Sequence, residues 1–168
     1  MGEADRYMDY KQPKRRFTLG DDNNALVGLI TINIIFFILF LIIEAIYANV
    51  QGSKTVFAEE VLPWFQLPAS LSVLVSRPWT LLTGMFTHYY LWREMLPNML
   101  WLWTFGFIFQ ELSGNKRLIP VYIYGGLAGE IVFILASNLL PVSKPFVSSS
   151  WLWGASASNI ALAAAATM

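Results

Sequence analysis

Cysteine is absent from this 168-residue chain, and histidine occurs once, at His88. The first absence excludes disulfides and thiolate metal sites and leaves the redox compartment unreadable. Charge is scarce too: only 13% of residues are Asp, Glu, Lys or Arg, the formal net charge is zero, and no nucleic-acid partner is expected. Apolar residues fill the place of charge, at 56% of the chain, with 15% aromatic and a positive mean hydropathy. That composition lies far from the soluble average and reads as an integral membrane protein.

A helix needs about 20 apolar residues to cross the hydrocarbon core. Ala25 to Tyr47 supplies them in one run, broken only by Asn33 and Glu44. A second span starts near Leu91 to Leu96, opens on Pro97 and runs to Phe109. A third covers Leu118 to Leu140 and carries Gly125-Gly-Leu-Ala-Gly129, and a fourth begins near Trp151 and is incomplete at Met168. The fold class is therefore an all-α, polytopic transmembrane helix bundle, with three full spans and the start of a fourth. Residues 1–24 form a polar tail, too long and too polar to be the charged end of a signal peptide, so the first span stays in the mature protein. Arg6, Lys11, Lys14, Arg15 and Arg16 precede span one, and Lys116 and Arg117 lie between spans two and three. Both places are expected to be cytoplasmic, with Lys54, Arg77, Arg93 and Lys144 outside, so span four enters from the outer face.

The connection from Ala48 to Tyr90 is too long for a turn and too apolar for a solvated tail. Its Val61-Leu-Pro-Trp-Phe-Gln-Leu-Pro-Ala-Ser70 and Leu71-Ser-Val-Leu-Val-Ser-Arg-Pro-Trp-Thr80 stretches predict short interfacial helices separated by prolines; an ordinary packed loop is the alternative. Trp64, Trp79, Trp92, Trp151 and Trp153 suit anchors at the membrane surface.

Span four differs from a lipid-facing helix. It reads Gly154-Ala-Ser-Ala-Ser-Asn-Ile-Ala-Leu-Ala-Ala-Ala-Ala-Thr167, small where such helices carry Leu, Ile and Phe, and so predicts a buried central helix. Gly154 with Ser158, and Ala157 with Ala161, allow close backbone approach, and Gly125 to Gly129 offers a matching face on span three. On these residues alone Ser156 is either one more small residue in a tight seam or a nucleophile buried in the membrane. Glu130, near the middle of span three, is either a protonated, hydrogen-bonded carboxyl or a functional group.

Four stretches occur in a telling order: Arg77-Pro-Trp-Thr-Leu-Leu-Thr-Gly-Met-Phe-Thr-His88, Asn98-Met-Leu-Trp-Leu-Trp-Thr-Phe-Gly106, Tyr124-Gly-Gly-Leu-Ala-Gly129 and Gly154-Ala-Ser-Ala157. Together they resemble the rhomboid family of intramembrane serine proteases, over roughly residues 25–168. The resemblance implies that Ser156, in a Gly-x-Ser motif whose glycine is Gly154, attacks a peptide carbonyl after a histidine on the sixth span activates it. Asn98 and the Ser156 backbone N–H would hold the oxyanion. His88 is similar to a structural hydrogen-bonding residue of the family rather than to its base. Ser156 is expected a turn or two inside its span, roughly 8 to 10 Å deep at about 1.5 Å per residue, with Asn98 at a similar depth, so that both share one cavity.

The chain departs from the family pattern in places. Ala157 replaces a glycine, Glu94 stands where a histidine precedes the asparagine by four residues, one extra residue separates His88 from Asn98, and Pro97 fits only the first turn of a late-starting helix. Glu94 puts a carboxylate where a donor is wanted. No histidine follows Ser156, so a fragment of a longer protease is expected.

The resemblance implies an intramembrane serine endopeptidase that cuts transmembrane segments of membrane proteins, preferring cut sites near helix-destabilising Gly or Pro. It would need no metal or organic cofactor. Its partners would be the lipid bilayer and transmembrane protein substrates, and its location a bacterial inner membrane with the N-terminus cytoplasmic. The competing reading is a catalytically inactive rhomboid-like protein that binds client helices. A channel or transporter half, with Asn33, Glu44 and Glu130 as its polar lining, is a third.

Overall fold

The computed structural model describes residues 24–51, 55–140 and 151–168. The basic residues of the tail, with Lys54 and Lys144, lie outside the described residues, and so does most of the charge asymmetry that orients the chain.

Helix α1 (Ala25–Gln51) begins where Asn24 caps it, its side-chain oxygen accepting from the N–H groups of Leu26 and Val27 at 3.1 and 3.3 Å. Asn115 takes the Ala25 N–H at 2.7 Å, and Gln110 donates to Asn24. One end of α1 is thereby tied to two other helices. Along its length Ile35, Ile38, Ile42 and Ile46 stay about half exposed while Leu26, Leu29, Phe37 and Phe40 are buried, which gives a lipid face and a protein face. Buried Asn33 donates to the Tyr122 hydroxyl at 3.3 Å and to its own helix at Leu29, a polar bolt between α1 and the third long helix.

The loop after α1 folds into short helical pieces, as its prolines predict. A π-turn (Phe57–Val61) runs into a 3₁₀ turn (Leu62–Trp64), followed by α2 (Leu71–Ser76), α3 (Thr80–Thr83) and another 3₁₀ turn (Gly84–Phe86). Two of the tryptophans expected at the membrane surface have defined partners within this loop. The Arg77 guanidinium sits 3.9 Å from the centre of the Trp64 ring and donates to the Pro63 carbonyl. The Trp79 indole donates to the Trp64 carbonyl at 2.8 Å, its ring within 3° of parallel to that of Trp64. Asn138 fastens this loop to the bundle by donating to the Ala69 carbonyl at 2.9 Å.

Helix α4 (Leu96–Ser113) is entered through a π-turn (Leu91–Met95), and Pro97 falls in its first turn, where a missing N–H costs nothing. At 18 residues it spans about 27 Å, slightly short of a full hydrocarbon core. Gly114 alone connects it to α5 (Asn115–Leu139); its φ of +88° reverses the chain in one residue. Lys116 and Arg117 therefore lie in the first turn of α5, not in a separate loop.

The fourth span does not start at Trp151. Trp151–Leu152 is a two-residue strand, β2, antiparallel to β1 (Leu67–Pro68), with Leu67 opposite Leu152 and Pro68 opposite Trp151. Gly154 at φ +94° breaks the backbone again, and only at Ser156 does α6 (Ser156–Thr167) begin. A glycine in this left-handed conformation cannot continue a helix, which moves the start five residues past the tryptophan.

Helices α5 and α6 meet with nothing larger than Ala and Ser side chains of α6 against glycines of α5. A Cβ added to Gly125 would overlap that of Ala161, one on Gly129 would overlap that of Ala157, and one on Gly126 would strike the Ser158 hydroxyl. The small face read from the sequence is thus real for Ala157, Ser158 and Ala161, whereas Gly154 belongs to the turn. Leu26, Leu102, Leu118, Tyr122 and Leu162 close the remaining core between the four long helices. Two helices, over Ala25–Val50 and Asn115–Leu139, are long and apolar enough to cross a membrane, and the whole is an all-α membrane bundle.

Because the seam has no spare room, Gly125→Leu is expected to lower stability by about 1–3 kcal/mol or more. Gly28→Ala, where nothing lies within 4 Å, should be neutral or slightly stabilising. Thermal unfolding of the two variants in detergent tests this; equal melting points would refute the tight seam.

Candidate active site

Three consecutive tethers fix the approach to Ser156. Trp153 donates its indole N–H to Glu94 at 3.0 Å, the Gly154 N–H goes to the Gly84 carbonyl at 2.8 Å, and the Ala155 N–H goes to Nε2 of His88 at 3.4 Å. Backbone groups in a sharp turn have no ladder to join, so each must find a partner from another part of the chain. Gly154 is needed for its φ of +94°, which residues with a side chain rarely adopt; a Cβ there would make only ordinary contact, at 3.7 to 3.8 Å, with Asn98 and His88.

His88 is fully buried. Since Nε2 accepts from Ala155, its proton is on Nδ1, which donates to the Phe86 carbonyl at 3.2 Å. Both ring nitrogens are thus committed to backbone groups, and neither points a lone pair at Ser156. Burial pushes the imidazole below its ordinary pKa of 6.5, an effect partly offset by the Phe86 carbonyl and by the charge of Glu94.

Ser156 is the first residue of α6, not a turn or two inside it. The helix-start position has its own chemistry, because the first N–H groups of a helix have no intrahelical acceptor and carry the positive end of the dipole. The exposed Ser156 hydroxyl donates to Oδ1 of Asn98 at 3.3 Å. Asn98, in the first turn of α4, donates through Nδ2 to the Glu94 carbonyl at 2.8 Å. Asn159, one turn beyond Ser156 and buried, donates to both the carbonyl and Oδ1 of Asn98, at 2.9 and 3.1 Å. The residue-by-residue reading missed Asn159, although an amide one turn after the serine in an otherwise alanine-rich helix was the signal for it.

A cavity of about 370 Å³ opens between α4 and α6 beside this pair, lined by Arg93, Asn98, Trp101, Ser156 and Asn159 among others. A second, smaller one of about 60 Å³ lies on the other side of Ser156, against Gly126, Trp153 and Glu130. Glu130 is 4% exposed, and one of its carboxyl oxygens finds no hydrogen-bond partner among the described residues. Glu94 faces neither Ser156 nor the larger cavity with its carboxylate, which takes the N–H groups of Tyr89 and Tyr90 as well as Trp153. Among the described residues no group of His, Asp or Glu is placed to hold a metal. The arrangement brings together a serine hydroxyl, an asparagine side chain and a helix start at the mouth of a cavity, the parts an acyl-transfer site needs apart from a base.

A family model described as Rhomboid domain matches residues 75–168, more than half of the chain. No curated protein and no solved structure matches it.

A histidine buried neutral must be charged on acid unfolding. The unfolded chain takes up that proton near pH 6.5 and the folded chain only lower, so its contribution is complete above 6.5 and is lost as pH falls below it. The melting point of the protein should therefore drop more between pH 7.5 and 5.5 than that of His88→Gln, whose amide oxygen can still accept from Ala155. Parallel pH curves for the two would show that His88 does not titrate in this way.

Proposed function

The chain belongs to the rhomboid family, whose members are generally serine proteases acting on membrane proteins within the bilayer, and from that premise we propose that it is an intramembrane serine endopeptidase with Ser156 as nucleophile. The observation that carries the proposal is the 3.3 Å contact between the Ser156 hydroxyl and Asn98 at the mouth of the α4–α6 cavity. Family motif and spatial neighbourhood coincide at these two residues.

In this reading a substrate segment unwinds into the cavity and Ser156 Oγ attacks its carbonyl carbon. The carbonyl oxygen becomes an oxyanion beside the start of α6, where the Ser156 N–H and the helix dipole favour negative charge. Asn98 has two Nδ2 hydrogens and gives one to Glu94, which leaves the second for the oxyanion. Asn159 holds Asn98 in place through one bond to its side-chain oxygen and one to its backbone carbonyl. The hydroxyl proton passes to a base, a role the resemblance gives to a histidine on the family's sixth span. His88 is not that base, since both its nitrogens serve the backbone.

The second reading, an inactive member that holds client helices in the same cavity, draws on the departures from the motif at Ala157 and Glu94. A fluorophosphonate probe separates the two. The full-length protein in detergent should label at Ser156, Ser156→Ala should abolish labelling, and Asn159→Ala should slow it by about tenfold, the effect of losing a bond or two worth about 1 kcal/mol each. A folded full-length protein that does not label would favour client binding over proteolysis.

A further inference from the structure

Oε2 of Glu94 accepts three hydrogen bonds, from the Tyr89 N–H at 3.0 Å, the Tyr90 N–H at 3.2 Å and the Trp153 indole at 3.0 Å. The first two are local. They steady the start of the π-turn, whose Met95 N–H reaches back five residues to the Tyr90 carbonyl at 3.0 Å. The third crosses the molecule, joining the entry to α4 with the segment that leads into Ser156. At its other end Glu94 offers its own carbonyl to Nδ2 of Asn98 at 2.8 Å. One residue therefore grips both partners of the Ser156–Asn98 contact: Asn98 through its backbone, and Ser156 through Trp153, three positions earlier.

We propose that Glu94 is a positioning residue, a latch whose carboxylate holds Trp153 and so sets the spacing between the nucleophile turn and the Asn98 amide. The proposal rests on the protease reading for its functional consequence, and on geometry alone for the latch itself. The other two tethers of the turn do not set this spacing, because Gly84 and His88 belong to the preceding loop, while Glu94 shares a helical entry with Asn98. A carboxylate suits the task. It is an acceptor only, and bonds from N–H donors to an ionised group are shorter and stronger than neutral ones. A lysine here would present only donors to three donors, and a neutral histidine a single acceptor. The indole N–H is a donor with no acceptor function, so the pair is matched in one direction only, and half-buried Trp153 has a reason to be tryptophan beyond its bulk.

Four variants of the full-length protein test the latch by the rate of fluorophosphonate labelling at Ser156, with thermal melting as the check that each is folded. Glu94→Ala is expected to slow labelling by about 10- to 100-fold, the range for losing a bond to a charged group. Trp153→Phe should slow it in the same direction. The double variant should be no slower than the slower single one, because both remove the same bond. Glu94→Gln should recover most of the rate, since its side-chain oxygen accepts the same indole proton; a residue needed for its charge in the chemistry would not be rescued. Multiplying effects in the double variant, or wild-type labelling by a folded Glu94→Ala, would overturn the proposal. If the wild type itself does not label, the protease reading falls, and hydrogen exchange at residues 153–156 then decides on the latch: faster exchange in Glu94→Ala upholds it and unchanged exchange rejects it.

Discussion

Ala157 and Ala161 press directly against Gly129 and Gly125, and the placement of every other part of the site depends on that contact. Inside a bilayer two apolar helices gain nothing by hiding from water, so their association relies on close van der Waals packing and on polar contacts between them. Glycines on α5 facing only Ala and Ser on α6 let the two helices approach closely. With α6 seated so deeply, its start turns toward α4, and Ser156 and Asn159 arrive at Asn98. A larger residue anywhere along the seam would swing that start away.

The second constraint is hydrogen-bond satisfaction. A turn that descends into a membrane protein exposes backbone groups which neither lipid nor a regular ladder can satisfy, and it survives only when protein partners are supplied. Gly84 and His88 supply them, and Glu94 does the same for the Trp153 indole. The sole histidine is thus consumed by structure, and an acidic residue at the entry to α4 works as an acceptor for backbone and indole donors. The short β1–β2 pairing does the same for Trp151 and Leu152 at the rim.

Much of this was readable in the chain. The apolar runs gave the long helices within a few residues, Pro97 marked a helix start, and the glycines of span three with the alanines of span four pointed to the seam. Charge and hydropathy could not give the local detail of the nucleophile turn. Trp151, Leu152 and Trp153 look as apolar as any membrane residue, and nothing in them distinguishes a strand and a hydrogen-bonded indole from the first turn of a span. The left-handed conformation of Gly154 depends on the Gly84 carbonyl seventy residues earlier. Glu94 looked like a carboxylate in the place of a donor because a residue type shows its charge and not its direction; the π-turn aims it at Trp153 and away from Ser156. Asn159 was visible as an amide in an alanine run, but its partner lies on another helix.

The most direct measurement is an experimental structure of the full-length protein in a lipid environment, read at residues 98, 156 and 159. The expected result is a Ser156 hydroxyl within hydrogen-bonding distance of the Asn98 side chain, near 3.3 Å, facing an open cavity between α4 and α6, with Asn159 bonded to Asn98. A hydroxyl packed dry among neighbouring side chains, with Asn98 turned elsewhere and no path for a peptide, would contradict the account at its centre.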